Sequence, residues 1–279
     1  MQLFDSHAHY FDQRFATDEE GPTADALLPR LFSEEGGVGR IVNVGTNLDS
    51  SAIALEQAAK YEGMYAAVGI HPEDCQLLDD PDEQLRGLRR LLGDATLDGQ
   101  KARRQKKIVA LGEIGLDYYE RDWLPVNKPL QAFYFEEQLK LAQKLSLPVI
   151  IHDREAHGDC LETVLRYPGL RGVFHSFSAS AEMARELYRR GWYISFSGVV
   201  TFKNASRVQA VAASVPLDRL LVETDAPYLP PVPHRGKMNH SGYLVHTAEV
   251  MAQIRGVTAE EIAELTYRNA CRIFGLSDN

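Results

Sequence analysis

The chain has 279 residues, 44% of them hydrophobic, a length that fits two small domains or one α/β barrel of typical size. Its formal net charge of −9 excludes a surface coated in positive potential for nucleic acid, so any polyanionic substrate must be received locally. Three widely spaced cysteines exclude a disulfide framework and a Cys-x-x-Cys zinc knuckle, and they suit a reducing compartment: Cys75, Cys160 and Cys271.

The first residues, Met-Gln-Leu-Phe-Asp-Ser-His, lack the basic and apolar regions of a signal peptide. No later apolar run has the length of a membrane span. We therefore expect a cytoplasmic protein that does not enter a membrane. No feature of the sequence indicates an obligate protein partner.

Short apolar, β-branched runs alternate along the whole chain with longer segments of helical periodicity. Eight runs are predicted as strands: Leu3 to His7, Arg40 to Gly45, Tyr65 to Ile70, Ile108 to Glu113, Pro148 to His152, Gly172 to His175, Trp192 to Ser197 and Arg219 to Glu223. Helices are predicted at Ser50 to Tyr61, Pro129 to Leu145, Asp159 to Tyr167, Ala181 to Arg190 and Asn204 to Ala213. This alternation favours a closed (β/α)8 TIM barrel, although a doubly wound open sheet would give a similar pattern. No linker divides the chain, so residues 1–279 are predicted to form one domain.

Two further segments carry local signals. Thr96 to Lys107 is rich in Lys and Arg and is predicted as a solvated loop or helix end, with a weak polyanion contact as the alternative. Thr258 and Glu261 have capping-box spacing before an amphipathic helix through Phe274, to which we assign a structural role.

The first strand ends in Asp5-Ser6-His7-Ala8-His9. Side chains two apart on a strand point to the same face, so Asp5, His7 and His9 are expected to project to one side. Two imidazoles and a carboxylate are expensive to desolvate together unless they are paired, and a divalent cation pairs them directly. A single His-x-His pair is only moderately specific, because two exposed or hydrogen-bonded histidines give the same pattern.

Four later strands also end in a potential metal ligand. Glu113 ends the fourth strand, His152 the fifth and His175 the sixth, and Asp225 follows the eighth. In a barrel the carboxyl ends of all strands converge on the face where active sites lie, so these side chains are expected to meet. One such residue is more often merely solvated, but five strands that share the feature predict a site.

Four imidazoles and two carboxylates exceed the three protein ligands of a single catalytic zinc, so two divalent metal ions are predicted. Glu113 is expected to bridge them, because in barrel order it lies between the first-strand histidines and the other two. The first-strand histidines and Asp225 would bind one ion, and His152 and His175 the other. Asp225 is also placed to orient the activated water or accept its proton, and Asp225 and Glu113 are the predicted catalytic residues. Magnesium, manganese, zinc and iron all suit such donors.

Other residues near the predicted site are assigned supporting roles. Asp5, His71 and Glu223 are predicted to orient the metal ligands by hydrogen bonds rather than to bind metal.

Positive charge beside the site indicates a substrate with phosphate groups. Arg154, and Arg235 and Lys237 in the H-R-G-K turn after the eighth strand, are predicted to contact substrate. An ordinary surface loop after a proline-rich stretch would give the same turn. Tyr118 and Tyr119 could stack a base, or could simply pack.

Together these residues resemble the TatD family of metal-dependent deoxyribonucleases, over nearly the whole chain. The motifs are D-S-H-A-H at Asp5 to His9, G-I-H-P at Gly69 to Pro72, G-E-I-G-L-D-Y-Y at Gly112 to Tyr119, P-V-I-I-H-D-R-E-A at Pro148 to Ala156, F-H-S-F-S at Phe174 to Ser178, E-T-D-A-P-Y-L at Glu223 to Leu229 and H-R-G-K from His234. The resemblance implies a nuclease that removes nucleotides from DNA and binds divalent metal through His7, His9, Glu113, His152, His175 and Asp225. Two departures from the family pattern are the run His240-Ser241-Gly242 after Asn239, and Ala179 in place of a glycine.

The leading hypothesis is hydrolysis of phosphodiester bonds at a DNA 3′ end, single-stranded DNA included, by a 3′–5′ exonuclease acting on ester bonds. The first alternative is an amidohydrolase-type esterase, lactonase or D-aminoacyl-tRNA deacylase, since an activated water also attacks carbonyl carbon. The second is a non-catalytic scaffold that keeps the metals for structure.

Overall fold

Eight parallel strands lie side by side in the order in which they occur in the chain. The computed structural model describes residues 1–278, so the last residue of the predicted domain, Asn279, lies outside the described part. The strands are β1 (Leu3–Ala8), β2 (Val38–Val44), β3 (Met64–Val68), β4 (Ile108–Asp117), β5 (Val149–Arg154), β6 (Gly172–Phe174), β7 (Tyr193–Phe196) and β8 (Leu220–Val222).

The segment after β8 closes the sheet onto β1. The amide of His9 donates to the carbonyl of Ala226 at 2.7 Å, and the amide of Asp225 donates to the carbonyl of His7 at 2.9 Å. The predicted closed barrel is therefore confirmed, and the open-sheet alternative is wrong.

Helices connect the strands around the outside of the barrel. They are α1 (Ala24–Leu31), α2 (Leu48–Lys60), α3 (Pro81–Leu92), α4 (Leu97–Gln105), α5 (Lys128–Leu145), α6 (His157–Leu165), α7 (Ala181–Arg189), α8 (Ser206–Ser214), α9 (Leu244–Arg255) and α10 (Ala259–Phe274). Within residues 1–278, none of these helices is both long and apolar enough to cross a bilayer.

The five predicted helices are confirmed, and the segment predicted as a solvated loop or helix end is a helix. The segment from Thr96 to Lys107 forms α4, because the Thr96 side chain accepts a hydrogen bond from Gly99 and caps the first turn. The predicted capping box of Thr258 and Glu261 is present at the start of α10.

A cluster of buried apolar side chains draws on all eight strands and fills the interior of the barrel. The end of α10 packs against this cluster at the amino-terminal end of the barrel, where the ring centroid of Phe274 lies 6.0 Å from that of Phe4. The amino-terminal end of the interior is thus sealed by apolar groups, which leaves the carboxyl ends of the strands for polar chemistry.

Gly115 allows β4 and β5 to approach closely beside these polar residues. Its φ is +145°, and it pairs with His152 of β5. A Cβ atom at this position would lie 2.0 Å from the carbonyl oxygen of His152. Only glycine therefore fits this backbone without displacing His152.

We expect Gly115→Ala to lower the free energy of unfolding by at least about 2 kcal/mol, through overpacking and a strained backbone. Urea denaturation measures the change. The matched control is Gly158→Ala in α6, where an added Cβ meets nothing within 4 Å, so this variant should be no less stable than wild type. A Gly115→Ala protein as stable as wild type would show that β4 and β5 can accommodate the added methyl group without cost.

Candidate active site

The structure brings the six predicted residues together at the carboxyl ends of the strands. His7, His9 and Asp225 form one group whose nitrogen and oxygen atoms could hold a cation, and His7, Glu113 and His175 form another. The Nε2 atoms of His7 and His9 lie 3.0 Å apart. Residues distant in the chain thus present nitrogen and oxygen atoms to a common centre.

Glu113 lies between two pairs of histidines. Its Oε2 atom is 3.3 Å from Nε2 of His7 and 3.5 Å from Nε2 of His9. Its Oε1 atom is 2.7 Å from both Nδ1 of His152 and Nε2 of His175. One carboxylate therefore faces both pairs, with a different oxygen toward each.

Asp225 adds a second carboxylate on the side of the first-strand histidines. Its Oδ1 atom is 3.6 Å from Nε2 of His7 and 3.3 Å from Nε2 of His9. The Asp225 side chain is 13% exposed, whereas that of His7 is fully buried. Asp225 thus lies where the buried cluster opens to solvent.

Three of the four histidines are oriented by an acceptor on their outer nitrogen. His9 Nδ1 lies 2.6 Å from the carbonyl oxygen of Val44. His175 Nδ1 lies 3.2 Å from Glu223, and His152 Nε2 lies 3.1 Å from Asp117. Because each acceptor holds the ring proton on the outer nitrogen, the inner nitrogen turns a lone pair toward the centre.

In His71 the outer nitrogen accepts a hydrogen bond, unlike in the three histidines above. Its distance from Glu113 and His152 would allow these three residues to share a cation. However, its Nδ1 accepts a hydrogen bond from the amide of Glu73 at 3.1 Å, which places the ring proton on Nε2, 3.5 Å from Glu113 Oε1. His71 therefore faces Glu113 with a donor, and we regard it as an orienting residue.

The electrostatics keep both central carboxylates ionised. Burial opposes the charge of Glu113, but His175, His71 and His7 hold its pKa well below its usual range. Burial likewise opposes ionisation of Asp225, and its hydrogen bond to His9 and the neighbouring histidines lower its pKa.

Three of the four histidines respond in the opposite direction, because the pKa values of His9, His152 and His175 are raised, whereas burial lowers the pKa of His7. Burial would lower the pKa of His152, but hydrogen bonds to Asp117 and Glu113 raise it to about 9. The cluster therefore attracts positive charge, either as protons on imidazoles or as cations in their place. A donor set of neutral imidazoles and ionised carboxylates, with lone pairs directed inward, fits divalent metal ions.

Asp117 was missed by the sequence reasoning. The predicted fourth strand stopped at Glu113, but β4 continues four residues further, to Asp117. There the carboxylate accepts from His152 and pairs with Arg121 at 3.2 Å, and Arg121 also pairs with Glu73. The signal was present as Asp117 in the motif G-E-I-G-L-D-Y-Y.

Asp5 contacts the backbone of His7, whose amide donates to its Oδ1 atom at 3.3 Å, and the pairing of β1 with β2 is irregular between Asp5 and Ala8. Its carboxylate accepts hydrogen bonds from the hydroxyl of Ser241 at 2.6 Å and from the amide of Thr224 at 2.9 Å. Burial raises the pKa of Asp5 to about 6 against these hydrogen bonds. Asp5 thus joins β1 to residues 239–242, which we call the rim segment.

The rim segment contains the departure from the family pattern. Its Ser241 hydroxyl donates to Asp5, as described above. In addition, the side-chain amide of Asn239 donates to the carbonyls of Thr224 and Tyr228, at 2.9 and 2.7 Å. These contacts fix the backbone on either side of Asp225.

A cavity of about 380 Å³, which we call the mouth cavity, adjoins His152, His175 and Asp225. Arg154 also lines it, and its guanidinium lies 4.0 Å from the ring centroid of Tyr119. The structure therefore brings Arg154 to the site.

The other predicted substrate contacts lie elsewhere. Arg235 and Lys237 are exposed and do not line the mouth cavity. The guanidinium of Arg235 lies 3.9 Å from the ring centroid of Phe202. The hydroxyl of Tyr118 donates to Asp159 at 2.8 Å, and its partly buried ring packs against the core.

Comparison with known proteins supports a metal-dependent hydrolase. The profile of the family described as TatD related DNase matches residues 4–275. YabD of Bacillus subtilis strain 168, an uncharacterized metal-dependent hydrolase, is 39% identical over 278 residues, covering 99% of this chain and 100% of that protein. YcfH of Escherichia coli K12, described in the same words, is 36% identical over 277 residues, covering 98% and 96%.

Solved structures agree on the fold. The crystal structure of YjjV, a TatD homolog from Escherichia coli K12, has a TM-score of 0.83 and 33% identity, covering 99% of this chain and 98% of that one. The organophosphorus hydrolase from Deinococcus radiodurans has a TM-score of 0.60 at 15% identity, covering 98% and 92%, which shows a shared fold alone.

His240 in the rim segment generates a prediction about acid stability. Its Nδ1 accepts from the amide of Gly242 at 3.1 Å, and its ring centroid lies 3.9 Å from that of Tyr243. Burial, and then the charge of His234, lower the pKa of His240 from 6.5 to about 4. The unfolded chain therefore binds the proton more tightly, so this residue lowers stability as the pH falls from about 6.5 toward 4.

We expect the free energy of unfolding to fall by about 2 kcal/mol more in the wild type than in His240→Asn between pH 7.5 and pH 5. Asparagine keeps an acceptor for the amide of Gly242 but does not titrate. Urea denaturation of both proteins at the two pH values gives the comparison. Equal losses in the two proteins would mean that His240 does not stay neutral in the folded state.

Proposed function

Because the chain belongs to the TatD-related DNase family and is a metal-dependent hydrolase, we propose that it removes nucleotides from a 3′ end of DNA at a two-metal site. The observation that carries the proposal is the position of Glu113. Its two oxygens face separate pairs of histidines, at 3.3 and 3.5 Å on one side and 2.7 Å on the other. A carboxylate in this position suits a bridge between two cations.

The donor groups divide into two sets. The nitrogens of His7 and His9, with Asp225 Oδ1 and Glu113 Oε2, would hold one ion. The nitrogens of His152 and His175, with Glu113 Oε1, would hold the other. When bound, two such ions lower the pKa of a water molecule and stabilise negative charge on a phosphate. Imidazole donors suit zinc, iron or manganese, and the carboxylates also admit magnesium.

Asp225 is our candidate for the general base. It is ionised, and it both faces the first-strand histidines and lines the mouth cavity. A carboxylate in this place can orient the attacking water and accept its proton. Glu113 is only 3% exposed, so its part is to hold the two halves of the site together rather than to exchange protons with solvent.

Arg154 is our candidate for recognition of the phosphate. Its guanidinium is exposed, makes no ion pair with an acidic side chain in residues 1–278, and is held over the Tyr119 ring. A planar guanidinium fork at the cavity suits two phosphate oxygens. Because His7 and Glu113 are buried behind His152 and Asp225, a strand terminus fits the site better than a continuous strand.

We expect two ions per chain after loading with manganese, measured by elemental analysis following gel filtration. Glu113→Gln should lose both, because neither ion keeps its full set of donors. Asp117→Asn should weaken the ion beside His152 by about 10- to 100-fold and leave the other unchanged, since Asp117 orients only that histidine. A Glu113→Gln protein that retains two ions would contradict the bridge.

The catalytic prediction uses single-stranded DNA labelled at either end. We expect release of nucleotides from the 3′ end that stops with chelator, and a loss of about 10²- to 10⁴-fold in kcat in Asp225→Asn. Cleavage that persists in chelator would contradict the metal requirement. Release from the 5′ end alone would contradict the direction.

Arg154→Ala should lower kcat/KM on DNA by about 10- to 100-fold, the effect of losing a charge-assisted hydrogen bond. Arg235→Ala is the matched control, because that arginine is also exposed and stacked on a ring but lies outside the mouth cavity. It should change kcat/KM by less than about threefold. Full DNA turnover by Arg154→Ala, with hydrolysis of carboxylic esters by both proteins, would instead favour an esterase.

A further inference from the structure

A second and larger cavity, of about 580 Å³, lies at the amino-terminal end of the barrel. The first residues of β4, Ile108 and Val109, form part of its wall, together with Pro148 just before β5 and Phe274 at the end of α10. At about 3.3 Å per residue along a strand, Ile108 lies about 16 Å from Glu113. We call this space the basal cavity, and it is separate from the mouth cavity.

The basal cavity is lined by five cationic residues: Arg103, Arg104, Lys107, Arg171 and Arg272. No Asp or Glu from residues 1–278 contributes to its lining. Two of the five side chains donate hydrogen bonds to backbone carbonyls of this chain. Arg103 donates to the carbonyls of Leu92 and Asp94, at 2.9 and 2.6 Å, and Lys107 donates to two carbonyls of the loop before β3.

The other three cations are Arg104, Arg171 and Arg272. They are exposed, and their side chains make no hydrogen bond or ion pair with another group in the described chain. They come from α4, from the residue before β6 and from α10. Three guanidinium groups from distant segments therefore surround one cavity.

The convergence of three cationic groups on one cavity favours the binding of an anion. Like charges around one space repel, although the chain as a whole has a formal net charge of −9. Guanidinium forks match phosphate oxygens, and several of them around a concave site provide both charge and orientation.

The remaining wall of the basal cavity includes the polar residues Gln100, Ser146 and Ser277 and an apolar and aromatic part. The apolar and aromatic part consists of Val109, Leu147, Phe274 and the half-buried ring of Tyr65, among others. A volume of about 580 Å³ is in the range of sites for small molecules rather than for a macromolecular strand. A ligand that satisfies both kinds of wall has a phosphate group and a flat apolar body.

We propose that the basal cavity binds a nucleoside monophosphate, with the phosphate at Arg104, Arg171 and Arg272 and the base against the apolar wall. This proposal does not rest on nuclease activity, because the cavity shares no lining residue with the mouth cavity. It assigns to the chain a nucleotide site remote from the reacting centre.

The test is equilibrium dialysis of labelled dAMP against metal-loaded protein. The triple variant Arg104→Ala, Arg171→Ala, Arg272→Ala should lose at least about tenfold in affinity at one site, because three charge-assisted contacts are removed. The control is the triple variant Arg30→Ala, Arg185→Ala, Arg189→Ala, which removes the same charge from exposed arginines elsewhere and should change affinity less than twofold. Arg154→Ala should keep the basal site, which separates it from binding at the mouth cavity.

Three outcomes would overturn the proposal. The first is equal dAMP binding by the basal triple variant and the wild type, and the second is an equal loss of affinity in both triple variants. The third is competition by inorganic phosphate as effective as that by unlabelled dAMP, which would refute the nucleoside part of the assignment. If the triple variant is unstable, the single variant Arg171→Glu, at one exposed position, gives the same comparison. DNase activity in each variant is measured separately, so failure of the nuclease proposal is distinguishable.

Discussion

The carboxylate of Glu113 is the group on which the rest of the site depends. An ionised carboxylate that is 3% exposed is costly to bury unless positive charge lies on both sides of it. Four histidines, two on each side, supply or receive that charge. The barrel makes this possible because it brings β1, β4, β5 and β6 to a common end with their polar termini directed inward.

A second layer of contacts keeps this arrangement rigid. The outer nitrogens of His9, His152 and His175 face acceptors from three different places around the barrel, namely Val44, Asp117 and Glu223. Each acceptor selects one tautomer, so the inner nitrogens can bind a cation without first rearranging. Orientation of the histidines is therefore a property of the whole barrel rather than of one loop.

The sequence was sufficient for the barrel and for the six central residues, because strand periodicity and strand ends are local signals that the closed fold converts into proximity. It was insufficient where the backbone departs from a regular strand. Asp5 takes its partners Thr224 and Ser241 from distant segments, and Asp117 was missed because β4 runs beyond Glu113. The position of Arg235 over Phe202 could not be predicted, because only the packing of its loop brings the two residues together.

A parallel barrel also makes its two ends chemically different. Here the carboxyl end gathers buried carboxylates and histidines, whereas the amino-terminal end gathers around the basal cavity guanidinium groups that have no partner within residues 1–278. Arg104 lies in the Lys/Arg-rich segment from Thr96 to Lys107, but no motif marks Arg171 or Arg272. Their effect arises only when α4, α10 and the start of β6 meet, and it is a local positive field in a protein of net negative charge. An anion that is repelled by the surface as a whole would therefore be attracted to the basal cavity.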